Sequence, residues 1–320
     1  MSTLAHHRHE DGRAPRVGTR GPVVAIGNFD GVHRGHRTLV SATRDAAAAL
    51  HAPSAVLTFE PHPRAFFQPD VPFFRITPAA EKRRVLDRLG IDTVHERTFD
   101  AALAALSPEA FVDGLLVGEL RAAGVVVGYD FHFGAKRAGT PAVLEALCAA
   151  RGLSCTIVPV VEEAGAPVSS SAVRAALEEG AVERANALLG YRWFAFGEIV
   201  HGDKRGRTLG YPTANMRLPE GCRLAHGIYA VRIAIDGRVH DGVASWGRRP
   251  TFDDGAPLFE TFAFDFAGDL YGKRVAVELV ARLRGEERFD SAQALVAQMD
   301  RDAATARTRL AAQDGLDSMI

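Results

Sequence analysis

The sequence predicts two domains of different class, an α/β domain with a parallel sheet followed by an antiparallel barrel or sandwich closed by a helix. Three observations carry this. Apolar runs bounded by Gly and Pro alternate with helix-period stretches in the first half, the period changes to two after Tyr191, and an amphipathic stretch at 291–312 follows the last strand-like run. The chain has 320 residues, 47% hydrophobic and 24% charged, which is enough apolar content for about two domains and excludes disorder or fibre.

In the first half VVAIG (23–27) leads to HRTLVSATRDAAAAL (36–50), and SAVLTF (54–59) is followed by PAAEKRRVLDRLG (78–90). GVVVG (124–128) precedes PAVLEALCAARG (141–152), and SCTIVPV (154–160) precedes SSAVRAALEEG (170–180). This alternation predicts βαβ units, whose ligands sit at the carboxyl ends of the strands. In the second half RWFAFGEIV (192–200), GIYAVRIAIDG (227–237), RVHDGVASWG (238–247), LFETFAFDF (258–266) and RVAVELVARL (274–283) alternate between apolar and polar and are separated by Gly- and Asp-containing turns. The expected division is a flexible tail at 1–21, an α/β domain at 22–185 and a β domain at 186–320, with no internal repeat.

Charge and cysteine usage narrow the partners. There are 38 Lys+Arg against 39 Asp+Glu, 20 basic and 21 acidic before Asn186 and 18 of each from there on, so neither half is a basic arm. Nucleic acid is not expected as a partner. Three cysteines without a CxxC suit neither a disulfide framework nor a thiolate zinc site, which points to a reducing, cytoplasmic compartment. No apolar run approaches the ~20 residues of a membrane span, and the opening lacks the apolar segment of a signal peptide. His6, His7 and His9 read as part of the solvated tail rather than as a metal site.

Two constellations carry chemistry. The first is GNFDGVHRGH, Gly27 to His36, directly after the first strand. Its glycines permit a tight turn and close backbone approach to a ligand, and it opens a helix whose N-terminus favours phosphate. His33 and His36 are three apart, so both imidazoles can face one phosphate and stabilise charge that grows in a transition state. A strand–turn–helix corner with two exposed histidines is the bland alternative. GxGxxG and GxxxxGK[ST] are both absent, which leaves dinucleotide oxidoreductase and P-loop readings unsupported.

FDGVHRGH resembles the flavin-adenylylating branch of the HxGH nucleotidyltransferases. Further segments match in order: TFEPHPRAFF (58–67) with RITP (75–78) resembles the flavin-binding segment of FMN adenylyltransferases, GYDFHFGAKRAG (128–139) their GxDFxFG segment, and VSSSAVR (168–174) their ISSTxIR signature. The resemblance implies an α/β nucleotidyltransferase domain of Rossmann-like type. It implies catalytic roles for His33, His36 and Arg174, and ATP contacts from Gly27, Asn28, Phe29, Asp30, Gly31, Gly35, Ser170 and Ser171. Flavin contacts are implied for His62, Arg64, Asp130 and Phe133. Taken alone, Ser169 to Ser171 are N-cap candidates, Asp130 is a turn-former and His62, between two prolines, is structural.

The second constellation is HGDKRGRTLGYPTAN (201–215), with three glycines and Lys204, Arg205 and Arg207 before Pro212-Thr213-Ala214-Asn215. A glycine-rich basic loop can wrap polyphosphate, and Thr213 and Asn215, two apart, share one face of an extended strand. Hard oxygen donors suit Mg²⁺ held together with substrate phosphates. A basic hairpin in solvent is the alternative. This stretch resembles riboflavin kinase, and the likeness continues through GIYAV (227–231), GVASWGRRPTF (242–252) and FETFAFDFAGDLYGKRV (259–275).

That second resemblance implies a six-stranded antiparallel barrel with a closing helix, ATP contacts from Gly206, Arg207, Gly210 and Pro212, Mg²⁺ with ATP at Thr213 and Asn215, and Glu260 as the base for the riboflavin 5′-hydroxyl. The chain departs from the pattern at His132, Ser245, Trp246 and Arg248, and its N-terminal tail lacks a strand-like opening. The expected partners are ATP, riboflavin and FMN, with no nucleic acid and no membrane; the sequence names no protein partner. Two rivals stay open: a flavin-binding regulatory module without turnover, and an HxGH transferase for another alcohol phosphate.

Overall fold

A computed structural model of the chain describes residues 4–7, 20–200, 213–248, 257–312 and 315–320. Its elements are β1 (Leu4–His7), β2 (Val23–Ile26), α1 (Arg34–Ala49), β3 (Ser54–Glu60), α2 (Pro63–Phe67), α3 (Ala79–Arg88), β4 (Thr93–Thr98), α4 (Ala101–Ala104) and α5 (Pro108–Ala110), the last running into a π-helical stretch, Phe111–Glu119. Then come β5 (Gly124–Gly128), α6 (Pro141–Ala149), β6 (Ser154–Val158), β7 (Glu162–Glu163), β8 (Ala166–Pro167), α7 (Ser170–Glu179) and α8 (Val182–Leu189). The β-rich part contains β9 (Phe194–Val200), β10 (Ala214–Met216), β11 (Gly227–Ile235), β12 (Arg238–Arg248), β13 (Pro257–Ala263) and β14 (Arg274–Arg284), followed by α9 (Ala292–Ala311). Two compact units result, one of Met1–Phe73 with Thr77–Ser169 and one of Phe74–Ile76 with Ser170–Ile320.

The first unit is built on a six-stranded sheet in the order β1-β4-β3-β2-β5-β6, parallel from β4 to β6. Val23, Val24 and Ala25 of β2 have no exposed surface, as expected for a parallel strand covered on both faces. Val24, Ile26, Leu57, Val125 and Val127 pack with Phe111, Leu115 and Leu144 in one core. The chain leaves β2 toward β3 on one side and later returns as β5 on the other, so the strand order reverses at β2/β5. A crevice at the carboxyl ends of these strands is where open α/β sheets bind ligands.

One expectation changes here. Residues 4–7, placed within a flexible tail, form β1, antiparallel to β4 with Leu4 opposite Arg97 and His7 opposite Val94. The edge of β4 offers unpaired backbone groups, and a short strand satisfies them. β4 itself, TVHERT, carries no clear apolar alternation; only Val94 and His95 are buried.

The second unit is a closed barrel in the order β10-β13-β12-β11-β14-β9. Alternate residues point inward, so Phe259 and Thr261 of β13 are buried while Glu260 between them is half-buried on the other face. α9 is capped by Ser291, whose Oγ accepts from Ala294 N at 3.1 Å. Ala306 and Leu310 of α9 pack with Ala230, Val280 and Ala281. Arg284 of β14 grips Asp302 of α9 at 2.7 Å.

By compactness α7 and α8 group with the barrel. Ala225 N bonds the Leu177 carbonyl of α7 at 3.0 Å. Asn186 of α8, 1% exposed, donates to the Leu279 carbonyl of β14 at 2.9 Å and accepts from Trp193 N at 2.8 Å. The change of periodicity near 186 therefore lies inside this unit. The segment Phe74–Ile76 is held there too, by Trp193 Nε1 on the Ile76 carbonyl at 2.9 Å.

Candidate functional site

In the first unit the turn from β2 into α1 is forced into an unusual path. Phe29 (φ 51°) and Val32 (φ 36°) adopt the left-handed region along with Gly31 (φ 86°). For a bulky and a β-branched residue this costs of order 1–3 kcal/mol each, so the turn survives only if its surroundings over-determine it. Asp30, 1% exposed, accepts from Thr77 N at 3.0 Å, and Thr77 Oγ1 accepts from Gly31 N at 2.8 Å. The Asn28 carbonyl accepts from Thr58 Oγ1 at 3.2 Å and from Lys82 Nζ at 3.4 Å.

This turn delivers the histidine pair. His33 is the N-cap of α1, and its Nδ1 accepts from His36 N at 3.4 Å. An accepting Nδ1 places the proton of a neutral His33 on Nε2, where it can be donated to a ligand. The two rings stack with centroids 3.7 Å apart, and Phe29, fully buried, packs against His36 at 5.1 Å. A Cβ on Gly35 would sit 3.2 Å from His33 Cε1 and Nδ1, so the glycine in HRGH makes room for the ring. Burial first, then the charges of His33 and Lys82, hold His36 well below the ordinary histidine value. Among the described residues His36 Nδ1 is buried without a hydrogen-bond partner.

The residues expected to contact ATP thus separate. His33, His36 and Gly35 form the ring cluster. Phe29, Asp30 and Gly31 are scaffold for the turn, since the Phe29 ring, the Asp30 carboxylate and the Gly31 amide are all engaged within the protein. Gly27 faces Phe29, where a Cβ would come within 3.2 Å of the ring.

Of the residues expected at the flavin, His62 caps α2, its Nδ1 accepting from Arg64 N at 3.1 Å. Its ring lies 4.6 Å from Phe73, over which the Arg64 guanidinium also sits at 5.1 Å. Asp130 is exposed just past the carboxyl end of β5. Phe133 is 6% exposed, stacks on Phe131, touches Phe111 and packs in the core, with Gly139 close against its ring.

Sequence reasoning assigned no role to Lys82, Thr58 and Glu60. Lys82 is fully buried and donates to Thr58 Oγ1 at 2.8 Å and Glu60 Oε1 at 2.7 Å. The available signal was composition: in a chain with four lysines and 34 arginines each lysine is rare enough to single out, and a compact ammonium is not interchangeable with a guanidinium.

In the second unit Ser170 opens α7 and Ser171 follows, exposed; Arg174, one turn on, donates through Nε to the Phe74 carbonyl at 2.7 Å. In the barrel the ladder brings the proposed kinase groups together. Asn215 of β10 pairs directly with Glu260 of β13, which on its other side pairs with Ser245 of β12. Directly paired residues share a face of the sheet, so Asn215, Glu260 and Ser245 form one row. Asn215 is 3% exposed, and Thr213 and Glu260 are half-buried. Trp246 is core, its Nε1 bonding the Leu224 carbonyl at 2.9 Å. Gly206, Arg207, Gly210 and Pro212, with Lys204 and Arg205, lie outside the described residues.

The first unit thus carries a histidine pair on a glycine turn at the reversal point of a parallel sheet, and the barrel carries a Thr–x–Asn segment whose Asn215 faces Glu260. Residues 17–172 match the FAD synthetase family and residues 189–310 the riboflavin kinase family. The bifunctional riboflavin kinase/FMN adenylyltransferase of Escherichia coli K12 is 39% identical over 93% of this chain and 95% of its own length. That of Pseudomonas fluorescens is 40% identical over 90% and 93%, and that of Bacillus subtilis 37% over 94% of each. The chain belongs to the bifunctional riboflavin kinase/FMN adenylyltransferase family.

A solved structure from Streptococcus pneumoniae, described as a macrolide-efflux protein, superposes with a TM-score of 0.82 at 34% identity, covering 91% of this chain and 95% of that one. Efflux is a property given to that protein. Among the described residues of this chain no helix is long and apolar enough to cross a membrane.

Proposed function

We infer that the chain phosphorylates riboflavin with ATP, giving FMN and ADP, and then joins FMN to the AMP part of a second ATP, giving FAD and pyrophosphate. The observation that carries this is the pairing of two separate catalytic rows in one chain: the stacked His33 and His36 at the end of β2, and the Asn215–Glu260 ladder pair in the barrel. We assign adenylylation to 22–185 and phosphorylation to 186–320.

In the kinase reaction Glu260 takes the proton of the riboflavin 5′-hydroxyl as that oxygen attacks the γ-phosphorus and ADP leaves. Thr213 and Asn215 offer only oxygen donors, with the Glu260 carboxylate across the ladder, and such a hard set fits Mg²⁺ carried on ATP phosphates. Thr213 and Asn215 would hold the ion, which when bound would neutralise phosphate charge. Gly206, Arg207, Gly210 and Pro212 are proposed to line the phosphates.

In adenylylation a phosphate oxygen of FMN attacks the α-phosphorus of ATP and the bond to pyrophosphate breaks. His33 and His36 donate hydrogen bonds to the oxygens on which charge grows, and burial keeps His36 itself uncharged before substrate arrives. Ser170, Ser171 and Arg174 are proposed as further phosphate ligands, a role supported by the VSSSAVR run, and His62, Arg64 and Asp130 as flavin contacts. A cytoplasmic location is supported by three cysteines outside any disulfide pattern.

The test is a pair of variants supplied with riboflavin, ATP and Mg²⁺. Glu260→Ala is expected to abolish FMN formation and leave adenylylation of added FMN within about twofold; His36→Ala is expected to accumulate FMN while FAD formation falls about 10²-fold or more. Loss of both activities in either folded variant would sink the two-site reading, as would FAD production at the parent rate in His36→Ala.

A further inference from the structure

We propose that Lys82 is a positioning residue for adenylylation, anchoring the turn that carries the histidine pair through the Asn28 carbonyl. This rests on the activity inferred above for the first unit.

Lys82 sits on α3, 46 residues beyond His36, and has no exposed surface. A buried ammonium is tolerated only when its charge and its three protons are met. Here three oxygens stand within reach: Thr58 Oγ1 at 2.8 Å, Glu60 Oε1 at 2.7 Å and the Asn28 carbonyl at 3.4 Å. Thr58 Oγ1 also donates to that carbonyl at 3.2 Å, so both lone pairs of the Asn28 oxygen are engaged. Asn28 begins the turn whose next residues include left-handed Phe29, Gly31 and Val32. Because C=O and N–H point opposite ways across a trans peptide, fixing the Asn28 carbonyl turns the Phe29 amide away from Lys82 and sets the path of the loop.

Thr77 and Asp30 clamp the middle of the turn, and Lys82 clamps its beginning. Loosening that start moves Phe29, and with it the His36 ring packed on it. The charge adds to the geometry. The groups acting on His36 are His33 from its own helix start, Lys82 from α3 and the apolar Phe29 ring, and the Lys82 charge disfavours a proton on His36. An arginine cannot replace this arrangement, since its planar fork does not match three converging oxygens.

The experiment compares Lys82→Met and Lys82→Arg in the full chain. Both are expected to lower kcat for FAD formation from FMN and ATP by about tenfold to a hundredfold, with KM for FMN and riboflavin phosphorylation within about twofold of the parent. In parallel, the His36 ring is titrated by NMR without substrates: its midpoint rises in Lys82→Met and stays near the parent value in Lys82→Arg. Parent-like kcat in both folded variants, or an unmoved His36 midpoint in Lys82→Met, overturns the proposal.

If Lys82→Met does not fold, Thr58→Val decides. It removes one oxygen from the ammonium and one bond from the Asn28 carbonyl, so a lowered kcat supports the anchor and an unchanged one refutes it. A parent protein that makes no FAD from FMN would instead remove the activity reading, and the His36 titration would still test the anchor.

Discussion

The His33 and His36 rings stack 3.7 Å apart, so a proton on one raises the cost of a proton on the other, and burial adds to that cost for His36. An uncharged His36 suits the polyphosphate role proposed for it, since a hydrogen bond can be given at the moment charge appears. The same arrangement has a consequence for stability. The pKa of His36 is lower in the folded protein than the ~6.5 of an unfolded histidine. Between those values the unfolded chain binds the extra proton and the folded one does not. Its contribution is therefore complete above about pH 6.5 and is lost as pH falls toward the folded value. Urea midpoints measured from about pH 7.5 to 5 should drop more steeply for the parent than for His36→Gln; equal slopes would count against the depressed value. Among single residues, Gly35 was readable from the motif, whereas the scaffold role of Asp30 was not, because its partner Thr77 is 47 residues away.

At the level of elements, the barrel register decides which residues share the row proposed for phosphorylation. Asn215 faces Glu260 because β10 and β13 pair with Ala214 opposite Thr261, and a one-residue slip would turn Glu260 to the inside, where Thr261 now sits. Periodicity of two was sufficient to predict strands here, yet it carries no information on which strand lies beside which. α9 holds the outside of the same barrel through Leu310, Ala306 and the Arg284–Asp302 pair, and its first turn is tied by Ser291. Ser291→Ala should lower the unfolding free energy by about 1 kcal/mol while riboflavin phosphorylation stays within about twofold. A loss of activity without a loss of stability would show that the cap matters for something other than α9. Long amphipathic helices such as α1 and α9 were legible to within two residues, since an apolar stripe and a capping residue are local signals.

For the molecule as a whole, two activities in one chain need not imply that the intermediate stays bound. With Glu260→Ala supplying adenylylation and His36→Ala supplying phosphorylation, a mixture given riboflavin, ATP and Mg²⁺ should form FAD although neither variant alone does. Chromatographic separation of FMN and FAD reads this directly, and a mixture that stops at FMN would mean that released FMN does not reach the second protein. The balanced charge, 38 basic against 39 acidic, describes the chain as a whole and is silent about where single basic groups sit. Composition excludes a nucleic-acid arm but does not exclude nucleotides.

The sequence by itself determined the change of period near Tyr191 and hence the two fold classes, and the order of its glycine, HxGH and PTAN motifs carried the resemblance that implied both reaction types. Each is written in neighbouring residues, where helix and strand periods and turn chemistry act. Only the tertiary structure decided that residues 4–7 complete the sheet, that Phe74–Ile76 belong with the barrel, that Phe133 is core, and that Lys82 holds the Asn28 carbonyl from 54 residues away. Such contacts join segments whose local patterns are silent about each other, and it is the packing of the whole sheet or barrel that brings them within bonding distance.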